Sequence, residues 1–464
     1  MRALQTAAVA ILLLVAPVAA VAGPGPVSEP ADAALPGEAS SPASEASLIP
    51  ADGQLSVVFG PNAAERAGPT ERASVPSASV AAPAIRSGVP QVDGGDRTLR
   101  TLSTPVDAAV RAGSYDRGAD LGSSLGFATA DADAGVETAA VVERVERAET
   151  SAERQQRIRA AIDRVERQES RLNDRQADAF DAHASGELTD AELVDELVRI
   201  AAAARGYDER LDEIDALAEA TDGFSSPGRL DELQVALQVY EGPVRDHALA
   251  TARAESPANG VYVASSANAV VLAAIVDGEY VREAFRVDRW DRGGEAISND
   301  DAIGAVKAAY PETAALREPD AFGAGSVQRV TIPHELGTLR VFVGGGRERV
   351  FAEHQRVDLA AFPDSEPVTA ASDGLDVTVD RTYPGGPVTV TVLDEETGRP
   401  VSGVTVTKAA ADGDSRTVGT TDRDGVVRTL SPAEPYRITV IDEPSVVVLD
   451  GIEPLRTPRP VDPE

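Results

Sequence analysis

The chain has no cysteine. Disulfides, thiolate chemistry and cysteine-ligated zinc are excluded together, which suits domains large enough to hold a core without covalent staples. Lysine is almost missing: Lys307 and Lys408 are the only two among 43 basic residues, and the others are arginine. Aromatic residues make up 4% of the sequence, with a single tryptophan. The four histidines, His183, His247, His334 and His354, share no metal-ligand spacing. His334-Glu335 opens a His-Glu-x-x-His zinc pattern, but position 338 is Thr, so solvated or hydrogen-bonded surface histidines are expected. No basic cluster exists to neutralise phosphates, which excludes nucleic acid as a partner. Each asparagine lacks the Ser or Thr that an N-glycosylation site needs two residues on. After the N-terminal apolar run, no second run of membrane-spanning length follows.

Acid is what the chain has most of. Asp and Glu number 76, and the net charge is −33 over 464 residues. Such a charge repels itself at low ionic strength, whereas at molar salt the screening length falls to about 3 Å. The composition points to a salt-loving organism. At the N-terminus, Arg2 precedes an apolar run over 3–22 that ends Ala20-Val21-Ala22 before Gly23-Pro24. A charged start, an apolar middle and a small-x-small end read as an export signal over 1–22. Kept uncleaved, the same run would be a membrane anchor. Either way the remainder is expected to be extracellular or at the cell surface. Residues 23–103 are rich in Pro, Ala, Ser and Gly and are expected to be a disordered spacer, with one short apolar patch at 55–59.

Residues 104–256 read as a helical hairpin or bundle. Leu193, Leu197, Ile200, Ala204, Tyr207, Leu211, Ile214 and Ala218 recur in alternating steps of four and three, a stripe that a helix buries against a partner. Val141, Val145 and Ala148, then Ile158, Ile162, Val165, Leu172 and Ala179, form the facing stripe. It slips phase between 152 and 158, and Thr150 with Glu153 has capping-box spacing, so a break is expected near Thr150. The paired arms are then about 151–182 and 190–221, the second capped by Thr189 with Glu192. Shorter helices follow at 229–240 and 243–255, with Pro243 in a first turn. Gly122-Ser123-Ser124-Leu125-Gly126 fits the Gly-x-Ser-x-Gly nucleophile pattern. That motif needs a core strand before it, and 115–120 does not read as one. A loop packing Leu121, Leu125 and Phe127 onto the helices is expected.

The period then changes to two. Runs at 260–264 and 269–276, the Asp277-Gly278 turn and a return at 280–287 precede a helix at 301–310. Strands at 327–332, 338–343 and 349–355 follow. The order β-β-α-β-β-β describes a small α+β domain over 257–362. Gly344-Gly345-Gly346 joins two strands and lacks the helix and lysine of a phosphate loop. Seven short alternating segments between 375 and 449, separated by Gly-containing turns, describe a β-sandwich over 363–453. A disordered tail is expected at 454–464.

Three resemblances follow from these residues. Leu393-Asp394-Glu395-Glu396-Thr397-Gly398-Arg399-Pro400-Val401-Ser402-Gly403-Val404 and Gly419-Thr420-Thr421-Asp422-Arg423-Asp424-Gly425 resemble the transthyretin-like, carboxypeptidase-regulatory β-sandwich, which implies an accessory module of secreted proteins. Asp422 and Asp424 could in principle hold Ca²⁺, though a plain strand-turn-strand explains them. Ala308-Ala309-Tyr310-Pro311 with the strands at 327–332 and 339–343 is similar to a PepSY-type unit, which implies binding or restraining extracellular peptidases. The order of parts resembles a family of uncharacterised exported proteins of halophilic archaea. It does so through Leu125-Gly126-Phe127-Ala128-Thr129, Tyr280-Val281-Arg282-Glu283-Ala284-Phe285 and Arg381-Thr382-Tyr383-Pro384-Gly385-Gly386-Pro387.

The expected fold is multidomain: a helical hairpin or bundle, a small α+β domain, then an immunoglobulin- or transthyretin-like sandwich. No catalytic, cofactor-binding or metal-binding residue is singled out. The expected function is a non-enzymatic binding, adhesion or spacer scaffold, with an unknown envelope or secreted protein as partner. The alternative is a peptidase modulator acting through 260–355.

Overall fold

The computed structural model describes residues 98–363, 366–410 and 413–462. The expected export signal, and the spacer up to residue 97, lie outside the described residues. The described chain opens with an extended segment, then β1 (Arg111–Arg117) and α1 (Leu121–Glu146). α2 (Ser151–Ser185) restarts after a break, with the Thr150 hydroxyl accepting from the Glu153 N–H, so the break falls where the phase slip puts it. α3 (Asp190–Glu219) opens on a full capping box between Thr189 and Glu192. α4 (Arg229–Gln238) and α5 (Pro243–Ala252) complete the helical region. The two expected stripes are the buried ones. Ile158, Ile162, Val165, Leu172 and Ala179 of α2 meet Leu193, Leu197, Ile200, Ala204, Leu211, Ile214 and Ala218 of α3, with Tyr207 half-buried.

Next come β2 (Asn259–Ser266), β3 (Ala269–Val276), β4 (Glu279–Arg286), α6 (Asn299–Ala309) and α7 (Pro311–Leu316). β5 (Asp320–Ala324), β6 (Val327–His334), β7 (Gly337–Gly344) and β8 (Arg349–Asp358) follow. They form one antiparallel sheet in the order β1-β2-β3-β4-β8-β7-β6-β5. Four strands precede α6 and four follow it. The expected runs at 260–264, 269–276 and 280–287 are β2, β3 and β4, those at 327–332, 338–343 and 349–355 are β6, β7 and β8, and β1 and β5 are additional. β1 comes from the stretch assigned to the helical domain. Its Gly113, Asp116 and Arg117 give it no strand signature, and it forms because an edge strand needs a partner on one side only.

The sheet is covered on both faces. Val261, Val263, Val270, Leu272, Phe285 and Phe351 share a core with the helical hairpin. Tyr262, Ala264, Val271, Ala273, Val330 and Val341 share another with α6 and with Leu99 and Leu102. Two-sided burial explains why β3 is an unbroken apolar run and not an alternating one. The division expected between 256 and 257 therefore does not separate two cores.

Two expectations of disorder are corrected where the chain is described, at 98–103 and at 454–462. Leu99 and Leu102 are buried, and the tail lies along the same side of the molecule. The Thr101 N–H donates to the Pro458 carbonyl at 2.7 Å, and the Val461 N–H to the Ala309 carbonyl at 3.0 Å. Arg100 bonds the Arg459 carbonyl and Arg459 the Thr104 carbonyl, at 2.9 and 2.7 Å. Composition misses such segments because main-chain hydrogen bonds hold them as much as side-chain burial does.

The C-terminal strands form a β-sandwich. β9 (Glu366–Ser372), β10 (Leu375–Arg381), β11 (Pro387–Asp394) and β14 (Val426–Leu430) make one sheet. β12 (Thr405–Ala410), β13 (Arg416–Thr420), β15 (Tyr436–Asp442) and β16 (Ser445–Ile452) make the other. β9 is an eighth strand beyond the seven expected; its small residues hide the alternation. Val377, Val379, Val390, Val392, Val406, Ile438 and Val440 fill the interior. The sandwich seats on the large sheet. The Tyr280 hydroxyl donates to the Gly385 carbonyl at 3.0 Å, and a Cβ at Gly385 would stand 2.6 Å from the Tyr262 ring.

Candidate functional site

The most reactive-looking constellation among the described residues lies under the hairpin turn. His183, in the last turn of α2, faces Ser265 of β2 through Nδ1 (2.6 Å to Oγ) and Asp190 of α3 through Nε2 (2.9 Å to Oδ1). The short turn brings Asp190 back over His183. Gly113 of β1 leaves the room, since a Cβ there would be 2.2 Å from Asp190 Oδ2. Arg111 closes the turn by donating to the carbonyls of His183 and Leu188 at 3.0 and 2.8 Å.

Serine, histidine and aspartate are the members of a hydrolytic triad. Here His183 and Ser265 are both 0% exposed, and the helix and sheet close over them. The arrangement joins the hairpin to β1 and β2 and offers no approach to a substrate carbonyl.

The expectation of surface histidines is corrected at three positions. His183, His247 and His354 are buried. Burial, then Arg245 and Arg340, holds His354 down to about 3, so it packs as a neutral ring edge-on to Phe342. Burial also lowers His247. The signal was present for His183: Leu172, Gln176, Ala179 and His183 continue the buried stripe in steps of four, three and four.

The Gly-x-Ser-x-Gly segment is the first turn of α1, and no loop. Asp120 caps it, accepting from the Gly122 and Ser123 N–H groups and from Ser123 Oγ. Phe127 is buried, but Leu121 and Leu125 are 75% and 60% exposed, because the helix turns them away from its neighbours. A strand does precede it, though as an antiparallel edge.

Two buried ion pairs sit on opposite faces of the sheet. Arg282 reaches Glu353 at 2.7 Å, and Glu353 also accepts from the Tyr310 hydroxyl and the Leu102 N–H, both at 2.6 Å. Burial raises Glu353 against the pull of Arg282. On the helical side, Arg245 bonds Glu283 at 2.9 Å, Gln176 at 2.8 Å and the Tyr240 carbonyl at 3.1 Å. Tyr240 in turn donates to Glu169, which pairs with Arg292. Polarity in a dry interior is held only where every charge is met, and these pairs tie strand to helix and strand to N-terminal segment. Nothing in the sequence gave them away, since a lone Arg or Glu in a strand reads as a solvent-facing residue.

Asp422 and Asp424 are exposed. The Asp422 carboxylate accepts the Asp424 and Val426 N–H groups at 2.9 and 3.0 Å, which makes it a turn former. Among the described residues no group of three or more His, Asp or Glu is placed to hold a metal ion, and no helix is long and apolar enough to cross a membrane.

Three family models match the chain. Residues 1–257 match a domain of unknown function, DUF7096, and residues 261–363 match a family of unknown function, DUF7094. Residues 366–449 match an archaeal fibronectin-III type-like domain, where a transthyretin-like sandwich was expected. No curated protein and no solved structure matches. The first two matched segments meet inside one folded body, since β1 comes from the first and the rest of the sheet mainly from the second.

Proposed function

We propose that this chain, which belongs to the DUF7096 family of unknown function, is a non-enzymatic binding or spacing scaffold outside the cytoplasm of a halophilic archaeon. The observation that supports this best is where the ionisable groups are spent. The His183, Glu353 and Glu283 clusters all face inward and join layers, so each serves the rigidity of the body. A sandwich of the archaeal fibronectin-III type, seated on that body, favours an exported role. The acidic composition favours high salt, and the apolar run at 3–22 favours export.

Fractionation of a halophilic host expressing the full chain tests the reading. The protein is expected in the envelope or the medium, with Gly23 as its N-terminus if the run is cleaved. Recovery in the soluble cytoplasmic fraction with residues 1–22 intact would sink it.

A further inference from the structure

In a chain of net charge −33 with two lysines, one lysine stands in a cleft beside two arginines. The cleft, of about 260 Å³, lies where the sandwich meets the first strands of the large sheet. Lys408 of β12, Arg416 of β13 and Arg428 of β14 reach it from the sandwich, and Ser114 and Asp116 of β1 face them. Arg416 leans toward Asp116 at 3.5 Å, the one carboxylate among the residues that line the cleft.

The acceptors of the Lys408 ammonium are both neutral: Thr429 Oγ1 at 2.9 Å and the Leu430 carbonyl at 2.6 Å. Burial, then Arg416, pushes Lys408 down to about 8. Lys307, by contrast, is exposed and paired with Glu318. A half-buried ammonium whose hydrogen-bond acceptors are neutral, and whose attraction to Asp116 is shared with Arg416, is costly, and an anion delivered to it recovers that cost. Guanidinium groups alongside match carboxylate and phosphate, and the Ser114 and Thr429 hydroxyls suit alcohol groups.

We propose that this cleft binds an acidic sugar through one carboxylate or phosphate on Lys408 and Arg428, with the sugar hydroxyls toward Ser114 and Thr429. At about 260 Å³ the cleft has room for one such ring. This goes beyond the scaffold reading and does not depend on where the protein resides.

Calorimetric titration of the full chain with glucuronate, glucose 6-phosphate and glucose tests it, at the lowest KCl concentration that keeps the fold. At least one acid is expected to bind, and glucose at least tenfold more weakly; which acid binds identifies the group. Lys408→Met and the exposed-site variant Arg428→Gln should each weaken binding at least tenfold. With only two lysines, peptide mass spectrometry reads each amine separately. The bound acid is expected to slow acylation of Lys408 by an N-hydroxysuccinimide ester and leave Lys307 unaffected. Absence of binding by both acids, equal binding of glucose, or unchanged acylation of Lys408 overturns the proposal.

Discussion

Glu353 joins three separate parts of the interior: strand, helix end and N-terminal segment. Its carboxylate meets Arg282, Tyr310 and the Leu102 N–H. Glu353→Ala strands a buried guanidinium and two further donors, and is expected to cost about 3–5 kcal/mol. Tyr310→Phe leaves the carboxylate with its other two donors and should cost about 1 kcal/mol. Thermal unfolding at molar salt checks the ranking; equal losses would mean the pair is not sealed. Glu241 is raised by burial as Glu353 is, but its Oε1 has no hydrogen-bond partner; burial first, then Asp208, lifts it to about 7. Arg205 and Arg340 oppose that rise while Asp246 adds to it. A carboxyl whose folded-state pKa lies above the unfolded one favours the fold most while it is protonated. Its contribution is full below about 4.5 and is lost as pH rises to about 7. Glu241→Gln should therefore stabilise on the order of 1 kcal/mol at pH 8 and give no gain at pH 4. Denaturant midpoints at the two pH values read this out, and a gain confined to pH 4 would contradict it.

The hairpin is held at its turn as well as along its seam. His183→Leu removes both bonds that tie α2 to Asp190 and Ser265. It is expected to cost about 2 kcal/mol and to speed amide exchange at the end of α2 and start of α3, with the sandwich unchanged. Uniform loss of protection across the chain would argue against a local joint. How legible each element was follows from what holds it. The stripes of α2 and α3 were readable because burial alone sets their period. The capping box at Thr189 was readable because its partners are three residues apart. β1 was not, because its residues carry no pattern and its place is set by pairing with β2, more than a hundred residues away. The first turn of α1 reads as a loop in sequence because glycine and serine weaken the helix signal, while in the fold the Asp120 cap supplies it. Of the candidate site, only the position of His183 on the stripe could have been seen. Its meeting with Ser265 needs the sheet, and the cleft around Lys408 needs two domains to be docked.

At the scale of the molecule, helices and sheet share their cores, so they should be lost together. The single tryptophan gives a probe of the sheet side, since Trp290 stacks on Phe351 at 4.6 Å and meets Phe285 edge-on. Those rings belong to the same core as Leu197, Ile200 and Val165 of the hairpin. The charge sets the condition under which that core holds. At about 0.1 M salt the screening length is about 10 Å, long enough for carboxylates on neighbouring helix turns to repel one another; at about 1 M it is about 3 Å. Acidic side chains outnumber basic ones by 76 to 43, so unscreened repulsion favours the expanded chain. Dialysis from molar to about 0.1 M salt is therefore expected to remove the helical circular-dichroism signal and shift the Trp290 emission in one coincident transition. Full retention of helix signal at low salt would refute the halophilic reading. A helix signal lost while Trp290 emission stays fixed would instead show that hairpin and sheet fold apart, against the shared core.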